Sequence, residues 1–234
     1  MAQTQEVDVA GAEAAIGHVF RDKGLLVAAF THRSYAHGRA GVDDNQRLEF
    51  LGDAVVGLIA ASRLFMAAPG RDEGFLTVAR SRVVSGATLA EVAAEAGLGR
   101  FMRFSPGVRD KEEREGARTL AALCEAVFGA VWLDRGLPAA EALFDRLLAG
   151  RLAKSLEEAA VGDPRGELQA WAHRNGFGEP VYETLREEGD GRVFVYEVRV
   201  GVGDRFATAR AGSRRKACAA AAAALLGTLG YQGA

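Results

Sequence analysis

Gln46, Glu49 and Asp53 stand at i, i+3 and i+7 of the run Gln46-Arg47-Leu48-Glu49-Phe50-Leu51-Gly52-Asp53. On an α-helix these positions share one side. Two carboxylates one turn apart repel each other at neutral pH unless a cation sits between them. Their hard oxygens suit Mg²⁺ or Mn²⁺. Taken alone, such an acidic pair reads as a solvated helix face, because such pairs are common on surfaces. A second cluster, Ser213, Arg214, Arg215 and Lys216, opens a helix near the other end of the chain. Three cations and the amide donors of a helix start suit phosphate groups. An exposed basic helix start is the plainer alternative.

The elements that must position these residues follow from periodicity and breakers. Leu48, Leu51, Val55, Leu58 and Ile59 recur at helical spacing, so a long helix is expected from Gln46 to about Met66, capped by the Asn45 side chain. Before it, helices are expected at Ala10–Phe20 and Leu25–His37. The second contains Phe30-Thr31-His32-Arg33-Ser34-Tyr35, in which His32 reads as a packing histidine. After it come helices opened by Asp72 and Glu73, where the helix dipole favours acids, at Thr88–Leu98, at Ala117–Asp134 with Leu120, Leu123, Val127, Val131 and Trp132 toward the core, and at Pro138–Leu152. No strand is expected to this point. Lys154 to Asp163 reads as a linker. Beyond it the pattern changes to a helix at Pro164–Asn175, strands at Val181–Leu185, Val193–Val200 and Arg205–Ala211, polar turns at Glu187–Gly191 and Gly201–Asp204, and a last helix at Ser213–Leu229.

Composition sets few limits. The 234 residues carry a net charge of -2, so any surface for a polyanion must be local. The two cysteines, Cys124 and Cys218, lie in apolar helical patterns and read as buried thiols of a reducing compartment. The N-terminus lacks a secretory pattern, and the Ala-rich end after Lys216 is too short and too weakly apolar for a membrane span. A cytoplasmic protein without membrane contact is expected.

Arg47-Leu48-Glu49-Phe50-Leu51-Gly52-Asp53 resembles the signature of the ribonuclease III family, endonucleases that cut double-stranded RNA. The Thr31–Tyr35 run and the block Glu125-Ala126-Val127-Phe128-Gly129-Ala130-Val131-Trp132-Leu133-Asp134 are similar to two further family segments. The α-β-β-β-α order, with Gly212-Ser213-Arg214-Arg215-Lys216-Ala217 opening its last helix, resembles a double-stranded RNA-binding domain. The resemblance implies an all-α endonuclease domain (8–153), a linker (154–162) and a small α+β RNA-binding domain (163–231). It implies Glu49, Asp53 and Glu125 around Mg²⁺, with Mn²⁺ as substitute, and Asp53 and Glu125 as the central acids. Glu73 corresponds to an acidic position near the catalytic valley. Phe50 corresponds to an aromatic that plugs a cavity in a second subunit, which implies a homodimer. Gln169 and His173 match positions that touch the minor groove, alongside Ser213 to Lys216. Ribosomal RNA precursors and structured messages are the implied substrates, with no small-molecule cofactor.

The chain departs from the family at three places. Ala122 stands where a metal-ligating aspartate is usual, and Gln46 where the signature begins with glutamate. A site short of a carboxylate binds a hard cation more weakly. The stretch Glu187-Glu188-Gly189-Asp190-Gly191-Arg192 is acidic and lacks the usual histidine, which predicts weaker or differently placed RNA contact. A rival reading therefore stays open here: a homodimer that binds double-stranded RNA without cutting it.

Overall fold

A computed structural model of the chain describes residues 6–108, 114–160, 163–189 and 194–231. The chain divides into two compact units, Met1–Glu157 and Glu158–Ala234. The first unit holds α1 (Val9–Ile16), α2 (Lys23–Ala29), α3 (Arg33–Ala36), α4 (Gln46–Ala67), α5 (Glu73–Val83), α6 (Gly86–Glu95), a 3₁₀ turn (Leu98–Phe101) and α7 (Ala117–Ala160). Short polar side chains start most of these helices. Asp8, Asp22, Asp72 and Ser85 each accept a hydrogen bond from a backbone N–H of the first turn. Among the described residues of this unit the sole β feature is an isolated bridge between Thr31 and Arg103.

That bridge corrects the expected Leu25–His37 helix. Arg103 N–H donates to the Phe30 carbonyl, and His32 N–H to the Arg103 carbonyl. The buried Thr31 is thereby fixed in extended pairing, so α2 stops at Ala29 and α3 restarts at Arg33. His32 starts α3: its Nδ1 accepts from Ser34 N–H at 3.3 Å. Asn45 is not the expected side-chain cap of α4. It is buried with helical backbone and no capping bond, while Gln46 N–H donates to Asp44 Oδ1 at 3.1 Å. α1 ends at Ile16 because Gly17 turns left-handed, and α6 ends at Glu95, before the left-handed Gly97. α7 breaks at Gly136 as expected, yet its second half runs past Leu152 to Ala160. Residues 154–160 are therefore helical, and residues 161 and 162 of the expected linker lie outside the described ones.

The core joins α4 to α7 through Val55, Val56, Ile59, Leu123, Val127 and Phe128. Leu58 and Trp132, expected in it, face outward instead. Among the described residues α4 alone has the length and apolarity of a membrane span. Its apolar face is built into this core, while Glu49 and Asp53 of the same helix stay outside it, half-buried and exposed respectively.

The second unit is α8 (Pro164–Arg174), β1 (Val181–Gly189), β2 (Phe194–Val202), β3 (Arg205–Ala211) and α9 (Arg214–Thr228). The strands form one antiparallel sheet in the order β1-β2-β3, with an irregularity between Thr184 and Arg186. Leu168 and Ala172 of α8 and Ala221, Ala222, Leu225 and Leu226 of α9 pack on Val200 and Val202. Two cross-strand ion pairs, Arg199–Glu183 at 2.6 Å and Arg210–Glu197 at 2.9 Å, join directly opposed residues and pin the register. β1 continues past the expected Leu185 to Gly189, and β2 past Val200 to Val202, so the second turn shrinks to Gly203 and Asp204. Residues 190–193, which hold the rest of the first turn and the expected start of β2, lie outside the described residues. Both cysteines are free and buried.

Candidate active site and nucleic-acid interface

α4 presents Gln46, Glu49 and Asp53, and α7 presents Arg118, Thr119, Ala122 and Glu125. Two glycines let these helices touch backbone to backbone. A Cβ on Gly52 would stand 1.7 Å from the Glu125 carbonyl oxygen, and one on Gly129 would stand 2.3 Å from that of Leu48. No side chain fits either gap. The contact sets Glu125 opposite the acidic side of α4.

Electrostatics register that closeness. The half-buried Glu125 carboxyl is pushed up to about 7, by burial first, then by the charge of Asp53, then by that of Glu49. Glu49 is also raised, by burial and by Asp44, against the pull of Arg118. The three carboxylates thus share one region without meeting: among the described residues no three acidic, histidine or cysteine side chains already converge as a ligand set. Three hard oxygen donors on two tightly joined helices fit a divalent cation in kind, and one placed between them would relieve the repulsion.

Beside Glu49 lies a cavity of about 300 Å³ whose wall includes His32, Arg33, Gln46, Arg118 and Ala122. Asn45 and Thr119 complete it. The two positions where family acids are replaced therefore open on one space with Glu49. His32 does more than pack on Phe104, 4.9 Å away between ring centres, because it also faces this cavity. Glu73 is not brought to it; its carboxylate accepts from the Thr77 hydroxyl at 2.8 Å. Phe50 is 83% exposed and takes no part in the core of its own chain. Asp134, closing the second block, has a structural task. It pairs with His18 at 2.9 Å and accepts from the backbone N–H groups of Arg21 and Asp22.

In the second unit Ser213 caps α9, its hydroxyl accepting from Lys216 N–H at 3.3 Å. Arg215 and Lys216 are exposed at that helix start, and Arg214 Nε donates to Thr184 Oγ1 at 3.1 Å. Gln169 and His173 are both engaged by Glu179 Oε1, at 3.2 and 2.8 Å. Sequence reasoning missed Glu179, which sets a negative charge beside two expected RNA contacts. It also missed Gly52, Gly129, Arg33 and Arg118. A glycine costs about 1 kcal/mol inside a helix, and that cost was the available signal for the two glycines.

Fold and site together define a class: an acid-lined helical hydrolase unit followed by an α-β-β-β-α nucleic-acid-binding unit. Residues 22–152 match the family model described as Ribonuclease-III-like, and residues 164–229 match the double-stranded RNA binding motif. The chain belongs to the ribonuclease III family, and it is an endoribonuclease acting on double-stranded RNA. It is 40% identical to ribonuclease 3 of Azorhizobium caulinodans over 97% of this chain and 95% of that one. It is 43% identical to ribonuclease 3 of Dinoroseobacter shibae over 90% and 91%. Among solved structures it resembles the nuclease domain of ribonuclease III from Campylobacter jejuni, with a TM-score of 0.57 and 31% identity over 62% of this chain and 98% of that one. That structure concerns flexibility in a region involved in dimer formation of the Campylobacter domain. The family's nuclease domain is generally dependent on a divalent metal. The reading as a non-cleaving RNA-binding protein gains no support over an endoribonuclease.

Proposed function

We propose that Glu49, Asp53 and Glu125 hold the divalent cation of this endoribonuclease, Mg²⁺ with Mn²⁺ as substitute, and that Asp53 and Glu125 are its catalytic acids. The observation that carries this reading is the glycine crossing of α4 and α7, together with the rise of the Glu125 carboxyl to about 7 beside Asp53 and Glu49. When bound, the cation supplies an activated water and offsets charge on the leaving oxygen. Glu49 and Asp53 offer oxygens from one helix face. Glu125 offers its oxygens from the second helix after releasing its proton. Gln46 contributes hydrogen bonds without charge, and Ala122 contributes no ligand.

In the same reading, residues 8–153 are the nuclease domain, 154–162 the connection and 163–231 the RNA-binding domain. Ser213, Arg214, Arg215 and Lys216 meet phosphates, while Gln169 and His173 leave Glu179 to meet 2′-hydroxyls in the minor groove. Phe50 enters a second copy, giving a homodimer with one cleavage site per RNA strand. The protein works in the cytoplasm on ribosomal RNA precursors and structured messages, without membrane or small-molecule cofactor.

The test is cleavage of a long labelled RNA duplex across Mg²⁺ and Mn²⁺ series, for this chain and for Ala122→Asp. The chain is expected to cut, and Ala122→Asp to lower the half-saturating Mg²⁺ about tenfold by restoring a ligand. If both bind the duplex and neither cuts it, the placement of the metal site is wrong.

A further inference from the structure

A pocket that holds a divalent cation offers it carboxylate oxygens without an excess of positive side chains. The cavity beside Glu49 has the opposite balance: Glu49 is the one carboxylate in its lining, against the two arginines Arg33 and Arg118 and the neutral Gln46 and Ala122, and the charge of Arg118 is felt at Glu49. Arg118 and Ala122 are one turn apart on α7, and both open on the cavity. Ala122 has no carboxylate with which Arg118, one turn away, could pair. Arg33 is set in place by the start of α3, whose first turn His32 caps. Both arginines are exposed and reachable by an incoming strand.

We propose that this cavity is a phosphate subsite, in which Arg118 and Arg33 bind a backbone phosphate of the RNA strand next to the phosphodiester being cut. A guanidinium meets two phosphate oxygens at once through its planar fork. Apart from Ala122 the wall is polar or charged throughout, which suits an anion and not an apolar group. A further cation is disfavoured, since two positive side chains oppose it and one carboxylate supports it. The consequence is specific to this chain. With neutral residues at 46 and 122, arginine provides substrate attraction where an acid would have provided metal attraction. The inference rests on the proposed reading of Glu49, Asp53 and Glu125 as the reacting site.

The experiment compares the full chain with Arg118→Ala, Arg118→Lys and Arg33→Ala. Binding of a labelled RNA duplex is measured in EDTA over a salt series, and KM and kcat are measured at saturating Mg²⁺. Arg118→Ala is expected to weaken binding about tenfold, with KM rising in step, and to reduce the slope of log Kd against log salt by about one. Arg33→Ala acts in the same direction. Arg118→Lys keeps the charge but not the fork and recovers binding only in part. Melting temperature stays level, because both side chains are exposed. The proposal is overturned if KM and salt slope are unchanged in both alanine variants. It is equally overturned if Arg118→Ala leaves RNA binding alone and merely lowers the Mg²⁺ requirement, since Arg118 would then act only as a rival charge at Glu49. Failure of the underlying site reading looks different: Glu125→Gln would cut RNA as well as the unchanged chain does.

Discussion

A half-buried carboxyl flanked by two others resists losing its proton, and Glu125 accordingly sits at about 7 against an ordinary 4.5. Two consequences follow for this residue. With Glu125 as the proposed ligand, metal must displace that proton, so below pH 7 the half-saturating Mg²⁺ should climb toward about tenfold per pH unit. Stability moves with a definite sign. Because the folded-state value is raised, the metal-free fold binds more protons than the unfolded chain between about 4.5 and about 7. The associated stability is complete below that window and is lost as pH rises through it. Melting curves from pH 4.5 to 8 should therefore show the metal-free melting temperature declining through this window relative to Glu125→Gln, and a Mg²⁺-induced gain that grows over the same range. An equal pH dependence in Glu125→Gln would remove Glu125 as the cause.

At the scale of elements the site depends on α4 and α7 touching through glycine. Gly52→Ala puts a methyl where only 1.7 Å separates it from the Glu125 carbonyl oxygen, so the helices must part. Overpacking of this kind costs about 1–3 kcal/mol or more, and a shift of about 1 Å between reacting groups costs about a hundredfold in rate. Cleavage should fall by that order, while RNA binding by the second unit stays. Gly57→Ala on the same helix is the control: its Cβ would have no neighbour within 4 Å, and it should stabilise the helix by about 1 kcal/mol with cleavage kept. Much of this architecture was legible in the chain. The stripe Leu48, Val55 and Ile59 marked α4, Gly136 marked the break in α7, and the change of period after Asp163 separated the two units. The unread parts depended on distant partners. Thr31 leaves the helix because Arg103, far along the chain, pairs with its neighbours. Leu58 and Trp132 carry apolar patterns but face outward, so periodicity alone assigned them to the core. Arg118 stands in no motif of the sequence and gained meaning when folding set it beside Glu49, Gln46 and Ala122.

At the scale of the whole molecule, a net charge of -2 gives no general pull on RNA, so attraction must come from local groups such as Arg215 and Lys216 at the start of α9. The outward-facing apolar residues raise a different question, that of assembly. Phe50 is 83% exposed on α4, and Leu58, Phe65 and Met66 of the same helix are also exposed, as are Trp132 and Leu133 of α7. A large exposed apolar patch marks an interaction site more often than a solvated face, and the proposed entry of Phe50 into a second copy would cover part of it. Phe50→Asp should therefore convert a dimer into a monomer in sedimentation, at protein concentrations where the unchanged chain stays paired. Its helices and melting should survive, because Phe50 supports no core. Cleavage is the sharper readout. A symmetric dimer supplies one site for each RNA strand, whereas a monomer that retains the Glu49, Asp53 and Glu125 cluster would act on one strand at a time. The variant should then yield nicked duplexes before any double cut, resolved on native and denaturing gels. A Phe50→Asp protein that remains dimeric and still releases doubly cut products from the start would show that this aromatic does not hold the two copies together.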